Sequence, residues 1–322
     1  MRVDTGFARQ APGDRPTVLT IGSFDGVHRG HQALVARCRE AASRGAAAVA
    51  ALTFEPHPRC VLDPQHCPAT LTAPALKAGL LAAAGVDRLV VLPFTREVSA
   101  WSATRFCDLL LESFDVRALV VGHDFALGHK RQGDVAFLTA YGAEHGFAVE
   151  QVAALEEGGA PVSSTRVRAL VESGDVAAAA RLLGRPHMVQ GTVERGEGVG
   201  RGLGFPTANL ATAAQSCLPA TGVYATWLAI DGHWHAAATN VGYRPTFGGD
   251  RLTVEAFVLD FEGDLYDRHT AVAFSARLRE ERAFGAVADL VEQIGRDVAA
   301  VRELSLTSGP PAASAAEAAS ER

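Results

Sequence analysis

Pro16-Thr17-Val18-Leu19-Thr20-Ile21 runs without a break into Gly22-Ser23-Phe24-Asp25-Gly26-Val27-His28-Arg29-Gly30-His31, and the reading of the fold turns on this stretch. An apolar, β-rich run that ends in a glycine-framed turn and passes into a helix-like segment is the repeating unit of an open parallel sheet. A turn of this composition, framed by Gly22, Phe24 and Asp25, lets backbone N–H groups approach phosphate oxygens, and the helix behind it offers its positive end. His28 and His31, three residues apart, can donate hydrogen bonds to negative charge that develops there. The stretch is a candidate nucleotide site.

The same alternation continues to about residue 153. Strands are predicted over Thr17–Ile21, Ala47–Phe54, Arg88–Leu92, Arg117–Val121 and Phe147–Val152, with helices between them. Leu34, Val35, Cys38 and Ala42 mark one apolar helical stripe, and Phe106, Leu109, Leu110 and Phe114 mark another. Ser163-Ser164-Thr165 opens a further helix, and Asp175 reads as the N-cap of one running to Leu183. Gly184-Arg185-Pro186 breaks that pattern, so a first domain is placed at 1–184. Beyond it the hydrophobic period falls to two. Strands are predicted over Met188–Val193, Gly222–Ile230, His233–Val241, Leu252–Leu259 and Thr270–Leu278, with Asp231-Gly232 as a hairpin turn. A small closed barrel removes the edges such strands would expose. The stripe Val287, Leu290, Val291, Ile294, Val298 and Val301 predicts one helix packed on it, giving a second domain at 185–304. The Ser, Pro, Ala and Glu of 305–322 predict a disordered tail.

The 322 residues are enough for two cores, and 48% hydrophobic with 20% charged residues is an ordinary globular composition. A net charge of −6 with scattered Lys and Arg argues against a nucleic-acid partner. No apolar stretch is long enough to span a bilayer, and the first fifteen residues lack a signal-peptide core, so no membrane association and a cytoplasmic location are expected. The five cysteines form no Cys-x-x-Cys pair and predict free thiols without a disulfide framework. Cys60, His66 and Cys67 lack a fourth ligand for a metal site.

Further residues join the first site. His57, in Thr53-Phe54-Glu55-Pro56-His57-Pro58, follows the second strand, and neighbouring strands of a parallel sheet open into one crevice. His28, His31 and His57 can therefore converge on a ligand, whereas as single residues His28 reads as a turn cap and His57 as a loop residue. A three-histidine zinc site is the rival, without the spacing of metalloprotease helices. Asp124, in Val120-Val121-Gly122-His123-Asp124-Phe125, also follows a strand, as an ordinary loop residue or a ligand contact. Ser164, Thr165 and Arg168 present hydroxyls and a cation at a helix start, which alone would be a cap.

A second constellation lies downstream. Gly191, Gly196, Gly198, Gly200, Gly202 and Gly204 make a chain able to wrap phosphate or simply to flex, and Phe205-Pro206-Thr207-Ala208-Asn209 follows. If that segment is extended, Thr207 and Asn209 point the same way, as a Mg²⁺ and phosphate clamp requires. Glu255 is a lone acid in an apolar strand, either a base for an acceptor hydroxyl or an outward-facing surface residue.

His-x-Gly-His resembles the signature of the nucleotidylyltransferase superfamily. Together with Phe-x-Pro-His-Pro, Val-Gly-x-Asp-Phe, Ser-Ser-Thr-x-Val-Arg, Gly-Arg-x-Leu-Gly-Phe-Pro-Thr-Ala-Asn, Gly222-Val223-Tyr224-Ala225, Asn240-Val241-Gly242-Tyr243-Arg244-Pro245-Thr246-Phe247 and Asp264-Leu265-Tyr266, it resembles the bacterial bifunctional riboflavin kinase/FAD synthetase family over roughly 16–303. The resemblance implies an α/β, Rossmann-like nucleotidylyltransferase domain followed by a mostly β riboflavin kinase barrel with a C-terminal helix. It implies that the barrel phosphorylates riboflavin with MgATP, and that the first domain adenylylates FMN with a second ATP to give FAD and pyrophosphate. By motif position, Thr207 and Asn209 would hold Mg²⁺ and phosphates, with Gly200, Arg201, Gly204 and Pro206 framing them, and Glu255 would activate the ribityl hydroxyl. His28, His31 and His57 would stabilise the transferred phosphate, with Asp124, Ser164, Thr165 and Arg168 binding nucleotide. Association into a homo-oligomer stays open. Leu127 stands where the family commonly has Phe, and Asp267 where it commonly has Gly, which matters if that turn needs a positive φ.

Overall fold

The computed structural model describes residues 1–8, 15–196, 199–246 and 249–312. Two compact units result, Met1–Pro68 with Leu80–Val162 and Ala69–Gly79 with Ser163–Arg322.

The chain begins β1 (Arg2–Thr5), β2 (Thr17–Ile21), α1 (Arg29–Ser43), β3 (Ala48–Glu55), α2 (Pro58–Leu62), α3 (Pro74–Ala84), β4 (Arg88–Pro93), α4 (Arg96–Ser99) and α5 (Ala103–Ser113). It continues β5 (Val116–Gly122), α6 (Val135–His145), β6 (Ala148–Val152) and a short hairpin, β7 (Glu156–Glu157) with β8 (Ala160–Pro161). Strands β1 to β6 form one parallel sheet in the order β1-β4-β3-β2-β5-β6. Every residue of β2 is buried, the continuous apolar run expected of a strand covered on both faces. Leu19, Leu52, Phe106, Leu119 and Leu138 belong to the core cluster of this unit. Chain order reverses across β2, with β3 on one side and β5 on the other, so a crevice opens at the carboxyl ends of these three strands.

The second unit carries α7 (Ser164–Glu172), α8 (Val176–Leu183), β9 (His187–Glu194), α9 (Val199–Gly202), β10 (Thr207–Thr212), β11 (Gly222–Ile230), β12 (His233–Thr246), β13 (Gly249–Val258), β14 (His269–Arg279) and α10 (Val287–Ser308). Its six strands close into an antiparallel barrel, β10-β13-β12-β11-β14-β9. In β10 the alternation is complete: Ala208, Leu210 and Thr212 are buried, leaving Thr207, Asn209 and Ala211 on the outer face. Val254, Ala256 and Val258 of β13 do the same and turn Glu255 and Phe257 outward. Helix α10 packs on that outer wall, with Val301 and Val298 in one cluster with Ala225, Phe257 and Leu278.

Most strand limits fall within one residue of expectation, Asp175 is the N-cap of α8, and the helix ends at Leu183 where Gly184 turns left-handed at φ 74°. Several expectations are corrected. Strand β1 was not anticipated, because a short, mixed-charge edge strand has no apolar run; it is tied to β4 by the Arg88–Asp4 ion pair at 2.7 Å. Strands β12 and β13 are longer at the ends that face each other. Gly191, also counted in the glycine-rich run, lies in strand β9 as the strand predicted over Met188–Val193 requires, and a Cβ there would stand 2.7 Å from the Ala211 carbonyl oxygen. Helix α10 runs through Ser308, past the start of the predicted tail; residues 313–322 lie outside the described residues. Cys60 and Cys67 are disulfide-bonded, because α2 and the turn at Pro64–His66 fold the chain back until their Cα atoms are 4.3 Å apart. Cys38, Cys107 and Cys217 are buried free thiols.

Candidate active sites

The first site is built on the turn between β2 and α1. Phe24, Gly26 and Val27 all have positive φ (48°, 86° and 40°), which folds the turn tightly over the end of β2. Two non-glycine residues in that region represent stored strain, and full burial of Phe24 and Val27 over-determines it. Gly22 donates its N–H to the Leu52 carbonyl at 3.0 Å, and the Thr53 hydroxyl reaches the Ser23 carbonyl at 3.1 Å, fixing the turn against β3. His28 is the N-cap of α1: its Nδ1 accepts the His31 backbone N–H at 3.4 Å. The rings of His28 and His31 stack at 3.6 Å, and Phe24 meets His31 edge-on at 5.2 Å. Gly30 makes this possible, since a Cβ there would lie 3.1 Å from the His28 ring. Asp25 is buried in the same turn.

His57, after β3, caps α2 by accepting the Arg59 N–H at Nδ1, 3.2 Å away. Asp124 is exposed after β5, its carbonyl bonded by Arg131 at 2.6 Å. The strand order thus sets His28 and His31, His57, and Asp124 after three adjacent strands. Leu127 is 6% exposed in the core cluster, so the exchange for Phe falls in packing. Ser164, Thr165 and Arg168 lie in the second unit, in the first turns of α7, where Ser163 supplies the cap to the Arg166 N–H. Arg168 Nε also donates to the Ala69 carbonyl at 2.7 Å.

The second site lies on the outer wall of the barrel. Register pairs Asn209 with Glu255 across β10 and β13, and Glu255 with Asn240 across β13 and β12. An amide, a carboxylate and an amide therefore stand in a row on one face of three strands. Thr207 is two residues from Asn209 on that face. The glycine-rich chain passes directly against the row: a Cβ on Gly196 would come within 2.4 Å of Asn209 Nδ2, and one on Gly200 within 2.4 Å of the Phe205 carbonyl oxygen and 3.5 Å of Thr207 Oγ1. Gly204 turns the chain at φ 86° ahead of Phe205 and Pro206. Gly198 and the side chain of Arg201 lie outside the described residues.

A cleft of about 380 Å³ runs between this wall and α10. Thr207, Asn240 and Glu255 line one part of it, and Leu203, Phe205, Phe257, Phe284, Leu290 and Ile294 supply an apolar remainder. Glu255 is outward-facing, as its alternation required, yet faces this cleft. Sequence reasoning missed Asn240, Arg279 and Asp297 as lining residues. Asn240 had the same signal as Glu255, a polar residue in an apolar strand; Arg279 and Asp297 reach the cleft through helix packing, which leaves no local signal.

A crevice at the chain reversal of a Rossmann-like sheet, followed by a barrel whose cleft joins an acid–amide row to an apolar wall, defines a two-unit phosphate-transferring enzyme. Residues 10–166 match the FAD synthetase family, and residues 183–305 match the riboflavin kinase family. The chain is 42% identical to the bifunctional riboflavin kinase/FMN adenylyltransferase of Pseudomonas fluorescens over 96% of its length and 99% of that protein. It is 39% identical to that of Escherichia coli K12 over 91% and 94%. A crystal structure described as a macrolide-efflux protein from Streptococcus pneumoniae superposes with a TM-score of 0.86 at 29% identity, covering 94% of this chain and 99% of that one. The chain belongs to the bifunctional riboflavin kinase/FMN adenylyltransferase family, with the adenylyltransferase unit first and the kinase barrel second. No helix among the described residues is long and apolar enough to cross a membrane.

Proposed function

We propose that residues 185–304 phosphorylate the ribityl 5′-hydroxyl of riboflavin from ATP, and that residues 1–184 transfer AMP from a second ATP to the resulting FMN. The observation that carries the first assignment is the Asn209–Glu255–Asn240 row across three strands, of which Glu255 and Asn240 line the cleft together with Thr207. Glu255 accepts the proton of the 5′-hydroxyl as its oxygen attacks the γ-phosphorus and the bond from that phosphorus to the β,γ-bridging oxygen breaks, releasing ADP, and the apolar wall receives the isoalloxazine ring. Thr207 and Asn209 carry oxygen donors suited to Mg²⁺, and the bare backbone of Gly196 and Gly200 leaves the space beside them that a Cβ would fill. These two residues would hold the cation together with the ATP phosphates, where a bound Mg²⁺ supplies charge neutralisation.

In the first unit, capping and catalysis use different nitrogens of one ring. Because Nδ1 of His28 and of His57 accepts a backbone N–H, the neutral imidazole carries its proton on Nε2. Each ring is thereby fixed as an Nε2–H donor, the form that stabilises charge on the α-phosphate during adenylyl transfer. His31, stacked on His28, belongs to the same group, and Asp124 binds nucleotide. The partners are riboflavin, FMN and ATP, and the setting is cytoplasmic.

Incubation of the full chain with riboflavin, ATP and Mg²⁺, with flavins separated over time, should show FMN and then FAD. Glu255→Gln should lower FMN formation by about 10²- to 10⁴-fold while conversion of supplied FMN to FAD continues. Unchanged riboflavin phosphorylation by this variant would remove Glu255 from the role of base.

A further inference from the structure

Helix α10 is mostly exposed, yet it buries one carboxylate. Asp297 is 6% exposed and stands four residues beyond Gln293, on the side of the helix that lines the cleft. A buried carboxylate persists only where it is paired and hydrogen-bonded. Arg279, the last residue of β14, meets it through Nε at 3.0 and 3.1 Å and through Nη2 at 2.8 Å, and Gln293 Nε2 adds a bond at 2.9 Å. Gln293 Oε1 in turn accepts from Arg282 Nη2 at 2.6 Å. Two cations of the segment 279–284 are thus tied to one turn of α10.

That segment has a position to keep. The guanidinium groups of Arg279 and Arg282 lie 5.8 and 4.8 Å from the centre of the Phe284 ring, and Phe284 forms the apolar side of the cleft with Leu290 and Ile294. The acid–amide row stands on the opposing barrel wall. A flavin whose hydroxyl reaches Glu255 has to place its planar ring against this apolar side, so the location of segment 279–284 sets whether the acceptor binds in a productive pose.

We propose that Asp297 is a positioning residue for the flavin acceptor: by holding Arg279, with Gln293 holding Arg282, it fixes the wall against which the isoalloxazine ring lies. This rests on reading the cleft as the riboflavin kinase site. Asp297 touches neither reacting atom, so its loss acts on acceptor binding more than on the chemical step.

The test is steady-state kinetics on the full chain, with riboflavin affinity measured independently by flavin fluorescence titration. Asp297→Asn should raise the riboflavin KM and Kd about tenfold or more, change kcat less than threefold, and leave the ATP KM and the adenylylation of supplied FMN within twofold. Arg279→Lys, which keeps the charge but loses the fork, should shift riboflavin KM in the same direction, and combining it with Asp297→Asn should add little. Gln293→Ala should raise the riboflavin KM about threefold. Unchanged riboflavin KM, or parallel loss of kcat and of both substrate affinities, overturns the proposal. Should Asp297→Asn abolish kinase activity altogether, Gln293→Ala and Arg279→Lys decide, and normal riboflavin affinity in both overturns it. Intact phosphorylation in Glu255→Gln would instead overturn the reading of the cleft itself.

Discussion

Nδ1 of His28 accepts the His31 amide at 3.4 Å, and this one contact joins helix capping to the chemistry proposed for the ring. From the sequence alone, capping and catalysis are alternatives for His28. The structure makes them compatible, because the capping contact fixes which nitrogen holds the proton. They can be separated experimentally. Asparagine is a good N-cap and has no imidazole, so His28→Asn should retain most of the helix stability that His28→Ala loses, about 1 kcal/mol. Both variants should lose about 10²- to 10³-fold in FAD formation from FMN, with riboflavin phosphorylation untouched. Adenylylation restored by Asn would assign the residue to capping alone. Glu255 was legible for the same local reason, a lone acid in an apolar run, whereas Arg279 and Asp297 were not: each looks like an ordinary surface charge until α10 meets the barrel.

The elements show which local signals survive folding. Asp231-Gly232 was readable because both residues adopt positive φ, 49° and 78°, the demand of a two-residue turn between paired Ile230 and His233. Strand β10 and the Thr207–Asn209 clamp are one feature, since only an extended Thr-Ala-Asn places Thr207 and Asn209 on one side. The turn before β14 settles the meaning of an unusual residue. Tyr266 N–H bonds the Asp264 carboxylate at 2.9 Å, Asp267 N–H bonds the Val193 carbonyl at 2.9 Å, and Asp267 sits at φ 61°. The turn therefore needs the left-handed conformation, which glycine adopts freely and aspartate tolerates better than most residues. Asp267→Gly should change stability by less than about 0.5 kcal/mol, relief of strain offsetting the greater freedom of the unfolded chain. Asp267→Val should cost about 2 kcal/mol, because a branched Cβ is unsuited to positive φ. Urea unfolding of the two variants checks this, and equal midpoints would refute a steric demand at this turn.

At the scale of the whole molecule, two thiols link the core of the first unit to alkaline stability. Cys38 on α1 and Cys107 on α5 are 0% and 2% exposed. Burial pushes each thiol up to about 12 from an ordinary 9.0, with the charge of Glu150 adding to the effect at Cys38 and that of Asp108 at Cys107. Well below pH 9 both thiols are protonated in the folded and unfolded chain and contribute no pH dependence. Between pH 9 and 12 the unfolded chain releases their protons while the native state retains them, so the unfolded state binds fewer protons and stability falls as pH rises. At about pH 10.5 the loss is about 2 kcal/mol for each thiol, a large fraction of a typical domain's stability. Urea midpoints for the first unit should therefore drop steeply from pH 8.5 to about 10.5, and Cys38→Ala should flatten that slope by roughly half even though the cavity it leaves lowers stability at every pH. The native thiols should also resist alkylation at pH 8.5 and react once the unit is unfolded, since only the thiolate is nucleophilic. A pH slope identical in Cys38→Ala and the parent chain would show that other groups govern the alkaline limit.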